Sequence, residues 1–145
     1  DPAGTYGQTV PSLEVDSVTT APLIATGARN DDRFRSNVGM VSLSVLDDIV
    51  VHYRVLGPNG AELVAGSRTL PPATVRQFSL AQLGVGSVDG ALTVELWLDE
   101  DSVSDDPCAE FANTLMGYVS KVDNGTGDAE FLYAAPVEDS FCPDD

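Results

Sequence analysis

Between Arg33 and Pro136 apolar and polar residues alternate in short stretches, each closed by a turn rich in Gly, Pro or Asn. Ile49-Val50-Val51-His52-Tyr53-Arg54-Val55-Leu56 shows this most plainly; it breaks at Gly57-Pro58-Asn59-Gly60 and resumes as Glu62-Leu63-Val64-Ala65. Successive side chains of a strand point to opposite faces, so Ile49, Val51, Tyr53 and Val55 are the expected core, with His52 and Arg54 on the solvated side. The same period predicts strands over 34–46, 61–70, 74–80, 91–99, 113–123 and 129–135, and a weaker one through Leu13, Val15 and Val18. In 91–99 the leucines share one face and Trp97 takes the other. Residues 27–32 read as a turn and 81–86 as a single helical turn. Gly39 marks a bulge or a close backbone approach, and Asn124-Gly125 favours a hairpin with positive φ. Strands at this spacing, with no helical period between them, indicate an all-β antiparallel sandwich.

The 145 residues, 43% of them hydrophobic, suffice for one domain with a real core. Residues 1–18 are an expected extended N-terminal arm or first strand. Residues 19–145 form the expected single sandwich domain, with an acidic insertion at 99–110 and a C-terminal tail. No run of eighteen apolar residues occurs, so no membrane span is expected. The start at Asp1-Pro2 fits either a removed secretion signal or a trimmed terminus, and the expected location is extracellular or at a cell surface.

Charge sharpens this picture. The net charge is −16, and residues 99–145 supply thirteen acids against Lys121 alone. Phosphate recognition needs a basic face, which argues against a nucleic-acid partner. Anionic membrane surfaces are disfavoured for the same reason. The acids serve as a solubilising surface, bind cations, or attract an arginine-bearing neighbour.

Few residues carry chemistry. Cys108 and Cys142 would close a loop of about 35 residues, worth roughly 3–4 kcal/mol if bridged, and would tether the tail to the insertion; two separate thiols are the alternative. His52 is the single histidine, and no Gly-x-Ser-x-Gly elbow supplies it with a nucleophile. Paired carboxylates in the insertion lack the apolar burial that glycoside cleavage needs. Asp99, Asp101, Asp105 and Asp106 offer hard oxygen ligands that suit calcium, but without the glycine turn of a helix–loop–helix site. Residues 123–128 are a second candidate for calcium. Asn124-Gly125-Thr126 also fits the N-glycosylation pattern.

Two stretches carry a family resemblance: Arg33-Phe34-Arg35-Ser36-Asn37-Val38-Gly39 onward to Leu46, and Tyr118-Val119-Ser120-Lys121-Val122-Asp123-Asn124-Gly125-Thr126-Gly127-Asp128-Ala129. Over residues 33–136 the chain resembles an uncharacterised immunoglobulin-like β-sandwich module of secreted bacterial proteins. In that module a Phe-Arg-x-Asn-x-Gly strand opens the fold and a Val-Asp-Asn-x-Thr-Gly-Asp hairpin closes it. The resemblance implies an immunoglobulin-like sandwich of about 7–9 strands and a non-catalytic extracellular role. In the motif, Asn37 and Asp123 are expected to bond backbone at strand ends, and Arg35 to pair with Asp123 or Asp128.

A sandwich without a catalytic set works by contact. The leading expectation is a self-assembling subunit of a filament or surface layer, in which the arm, anchored by Tyr6, Val10, Leu13 and Val15, adds a strand to a neighbour's sheet. Such a contact joins two different surfaces and propagates as an open polymer. The alternative is a module that binds a cell-surface glycan or protein, with Tyr53, Trp97 and Tyr118 as its aromatic platform.

Overall fold

The computed structural model describes residues 21–137. They form β1 (Leu23–Asn30), β2 (Phe34–Ser42), β3 (Ile49–Leu56), β4 (Glu62–Leu70), β5 (Thr74–Ser79), β6 (Val88–Leu98), β7 (Leu115–Asp123), β8 (Ala129–Tyr133) and the two-residue β9 (Ala135–Pro136), with a 3₁₀ turn at Glu100–Ser102. One sheet runs β4-β3-β6-β1-β9 and the other β5-β2-β7-β8. Every pairing is antiparallel. The expected arm and first strand, residues 1–18, lie outside the described residues.

Period-two burial fixes which side of each sheet faces in. Ile49, Val51, Tyr53 and Val55 of β3 are buried, as are Leu92, Val94, Leu96 and Leu98 of β6, and Val38, Met40, Leu115 and Val119 close the core from the second sheet. The sheets pack closely at Gly117, where an added Cβ would stand 2.5 Å from Leu96 Cδ1.

Four local expectations change. Residues 27–30 belong to β1, because Gly27 at φ +87° absorbs an irregularity between Thr26 and Ala28. The turn shrinks to 31–33, where Asp31 Oδ1 accepts from the backbone N–H of Arg33 and Phe34 at 2.9 and 2.8 Å. The strand predicted to reach Leu46 stops at Ser42, and Val45 and Leu46 are exposed. In the β7–β8 hairpin the positive φ falls on Gly127 rather than on the Asn124-Gly125 step. Asp123 accounts for that: its Oδ1 accepts from Gly125 and Thr126 N–H at 2.8 and 3.2 Å, which winds the turn right-handed until Gly127 reverses it. Around 81–86 the helical turn is a tight turn, in which Leu83 N–H donates to Ser79 O and Leu80 O at 3.1 Å, Gly84 N–H to Ala81 O at 3.0 Å and Val85 N–H to Leu80 O at 2.9 Å.

Gly39 is a close approach, as expected. The Tyr118 ring lies flat on its backbone, and an added Cβ would fall 2.1 Å from Cε1. The ring can escape only by swinging outward, away from Phe131 and Gln77. Gly39→Ala is therefore expected to destabilise the fold by about 1–2 kcal/mol, and much less in a Tyr118→Ala background. Equal costs in the two backgrounds, measured by urea denaturation, would remove the ring from the explanation.

Candidate functional site

The outer face of the five-stranded sheet carries a polar row set by register. Arg54 stands opposite Glu95 and His52 opposite Trp97. Arg54 Nε donates to Glu95 Oε2 at 2.9 Å, and the His52 ring stacks on Trp97 with centroids 5.6 Å apart and planes 18° off parallel. His52 Nε2 lies 2.6 Å from Asp99 Oδ1. The other oxygen of that carboxylate accepts from Asp101 N–H at 3.0 Å and caps the 3₁₀ turn. The His52 hydrogen bond, then the Asp101 N–H, hold Asp99 below its ordinary pKa of 3.8.

Asp99 therefore starts a pinned loop rather than a free one. Asp99 N–H donates to Val50 O at 2.8 Å, and Ser102 Oγ accepts from Val50 N–H at 2.9 Å. Asn113 Nδ2 reaches Ser102 O at 2.9 Å, and the buried Ser44 hydroxyl reaches Asn113 Oδ1 at 2.8 Å. The acids do not converge. Asp101, Asp105 and Asp106 are exposed, and among the described residues no three His, Cys, Asp or Glu side chains are grouped to hold a metal. The candidate calcium ligands Asp99, Asp101, Asp105 and Asp106 are not brought together here: His52 and the Asp101 N–H engage Asp99, and the other three are exposed. At 123–128, Asp123 serves its own turn.

Cys108 is exposed in this loop and is not a free cysteine. Its expected partner Cys142 lies outside the described residues, as do Tyr6, Val10, Leu13 and Val15. Val137 N–H bonds Pro22 O at 3.0 Å, which places residue 137 at the sandwich end where β1 begins.

The other end holds the motif residues. Arg35 donates to Asn124 Oδ1 at 2.7 Å, in place of the expected Asp123 or Asp128. Arg33 takes the Asp123 contact at 3.7 Å. Asn124 also gives its N–H to Arg33 O at 2.7 Å and its Nδ2 to Asp32 O at 3.3 Å. The candidate glycosylation residue is thus exposed, yet its side chain clamps two turns together. Arg29, Arg33 and Lys121 surround the Phe34 ring at 4.7, 4.9 and 5.4 Å.

The expected aromatic platform is dispersed. Tyr53 is buried, Trp97 sits on the outside of the first sheet, and Tyr118 on the outside of the second. Sequence reasoning missed what surrounds Tyr118. Its ring stacks on Phe131 at 5.0 Å, its hydroxyl donates to Gln77 Oε1 at 2.9 Å, and Tyr133 stands opposite, 43% exposed. Burial raises the Tyr118 pKa above the ordinary 10.0. Val41, Val75 and Met116 continue this surface, which bears no carboxylate at any outward position of its four strands. Strand alternation through 37–41, 116–120 and 129–133 carried that signal.

No family model matches the chain, and no curated protein matches it. Among solved structures, a crystal structure of Thermotoga maritima 1070 superposes with a TM-score of 0.59 at 8% identity, covering 83% of this chain and 97% of that one. That likeness extends to the fold alone.

Asp31 and Asp123 join Asp99 below the ordinary value of 3.8, held there foremost by the Phe34 and Gly125 N–H groups. Carboxyls depressed in the folded state stabilise it above the unfolded pKa and lose that effect as pH falls through the folded one. Urea midpoints are therefore expected to hold down to about pH 4 and fall beneath it, with a shallower fall for Asp99→Asn. An unchanged acid slope in that variant would refute the assignment. Alkylation of the unreduced, unfolded chain is expected to leave both cysteines unlabelled; labelling of either, read by mass spectrometry, would refute the Cys108–Cys142 bridge.

Proposed function

We propose that the chain is a non-catalytic, extracellular structural subunit that assembles with copies of itself, its N-terminal segment adding a strand to a neighbour's sheet. The observation that carries this reading is β4. Over nine residues it pairs with β3 on one side, and no described strand lies along its other side. Proteins protect such edges with outward charges, proline or bulges. Here Arg68 folds back over Tyr53 and Phe78, at 5.2 and 5.3 Å from their ring centroids, leaving Glu62 and a register irregularity between Glu62 and Val64 at the tip of the edge. Residues 10–18 match β4 in length, and Leu13 and Val15 share the strand face that would pack beside Leu63 and Ala65, with Val10 on the other face.

The strand order supports the immunoglobulin-like reading of the sandwich, with β1 beside β6 in one sheet and β2, β7 and β8 adjacent in the other. A Cys108–Cys142 bridge would fit an extracellular setting. The binding-module alternative loses ground because Tyr53 is buried and Trp97 and Tyr118 lie on the outsides of different sheets.

Deletion of residues 1–12 is the test. The intact chain is expected to form fibres or sheets by electron microscopy and the deleted chain to form none. Undiminished fibres after deletion would remove the arm as the joint, and an intact chain that sediments only as a monomer would end the assembly reading.

A further inference from the structure

We infer that the outer face of the four-stranded sheet is a self-association surface, packed against the same face of a second copy of this chain about a two-fold axis. The inference rests on the assembly reading above and names a lateral contact that strand addition does not make.

The first argument is charge. A chain of net charge −16 repels its own copies wherever its acids point. Eight acids sit in the loops 43–48 and 99–110 at one end, which contain no Lys or Arg. Asp31, Asp32 and Asp128 mark the turns of the opposite end. The outer face of the five-stranded sheet carries the Arg54–Glu95 pair. Among the faces of the described residues, the outward positions of β5, β2, β7 and β8 are free of carboxylates, with Arg35 at the margin. There two copies can meet without bringing acid to acid.

The second argument is chemistry and shape. Val75 is 59% exposed and Tyr133 43% exposed, beside the Tyr118–Phe131 stack, Val41 and Met116. This exposed patch of aliphatic and aromatic side chains crosses all four strands of one sheet. Because Tyr118 lies down on Gly39, the surface is a level platform rather than a groove, which suits sheet-on-sheet packing and not an inserted peptide. An isologous contact asks only that a surface be compatible with itself, and a neutral aromatic face is. Strand spacing and rise give roughly 450 Å² per copy before side-chain relief is counted. Two copies would then bury roughly 900 Å² in all, below the size of stable specific interfaces and in the range of weak, transient contacts, so the dimer is expected to dissociate readily on dilution.

Sedimentation velocity of the full chain tests this, comparing the wild type with Val75→Glu/Tyr133→Glu. Both substituted side chains already reach solvent, and circular dichroism verifies folding. The wild type is expected to dimerise with rising concentration. Dimerisation should strengthen between about 0.02 M and 0.5 M salt, because screening weakens the repulsion of the two chains. The double variant, which sets carboxylates against each other across the axis, should dimerise about 100-fold more weakly. Species larger than dimers report the arm joint and should persist in the variant. If wild type forms dimers and nothing larger, this inference stands and the filament reading falls. If the variant dimerises like wild type, or salt weakens the dimer, the face is not the contact. A wild type that stays monomeric but is retarded on a neutral polysaccharide matrix, with the retardation lost in the variant, would assign the face to a carbohydrate and overturn the inference.

Discussion

A pleated strand can bury only one of its two faces, and this constraint governs the molecule. Nine short strands spend their inward positions on Leu, Val, Ile and Met, which leaves outward positions and loops for everything else. The inward set is almost wholly apolar, so the interior holds little chemistry. Its buried polar members work for the backbone. The Ser36 hydroxyl, for instance, bonds both the N–H and the O of Arg29 and locks β1 to β2 across the open side of the sandwich. The differences between the outward faces are therefore where function is to be sought.

Those faces are not alike. The outside of the five-stranded sheet is zipped by cross-strand polar pairs, Arg54 with Glu95 and His52 with Trp97, ending in the His52–Asp99 contact that roots the acidic loop. The outside of the four-stranded sheet carries no carboxylate and is largely aromatic and aliphatic, with Arg35 at its margin. At the two ends, acids crowd one set of loops, while Arg29, Arg33 and Lys121 gather around Phe34 at the other. These cations are largely engaged: Arg29 with Asp31, Lys121 with Glu130, Arg33 more loosely with Asp123. The end is thus a cross-braced corner, in which the Asn124 clamp ties the β1–β2 turn to the β7–β8 turn.

Period and turn chemistry made much of the fold legible. β3 falls at 49–56 as read, because alternation there is unbroken and both ends carry turn residues. Gly39 announced the close approach of Tyr118 before any partner was known. Failures cluster where a single side chain or backbone angle overrides a local preference. Asn124-Gly125 is a good reversed-turn step in isolation, but Asp123 captures its N–H groups and shifts the positive φ to Gly127. Gly27 resembled a turn residue because sequence does not distinguish a bulge from a reversal. Ala73 adopts φ 52° after Pro71-Pro72, where nothing in an alanine signals a left-handed backbone. The His52–Asp99 contact joins residues 47 apart in sequence through the β3–β6 register, and that register had to be known before the acidic stretch could be understood as anchored.

Anchoring changes what the acidic stretch can do. A free loop with this charge would spread its carboxylates and could gather them around a cation. Here Asp99 and Ser102 hold the backbone to Val50, and Asn113 holds it to Ser44. The remaining carboxylates are thereby fixed in outward positions, each facing water. Held there, they act as a standing electrostatic barrier at one end of the sandwich, the end where residues 21 and 137 also lie. A copy approaching end-on meets that barrier, whereas a copy approaching the level aromatic face does not. The strength of the barrier falls with ionic strength, and the level Tyr118 face and the open β4 edge are described surfaces that lie outside it.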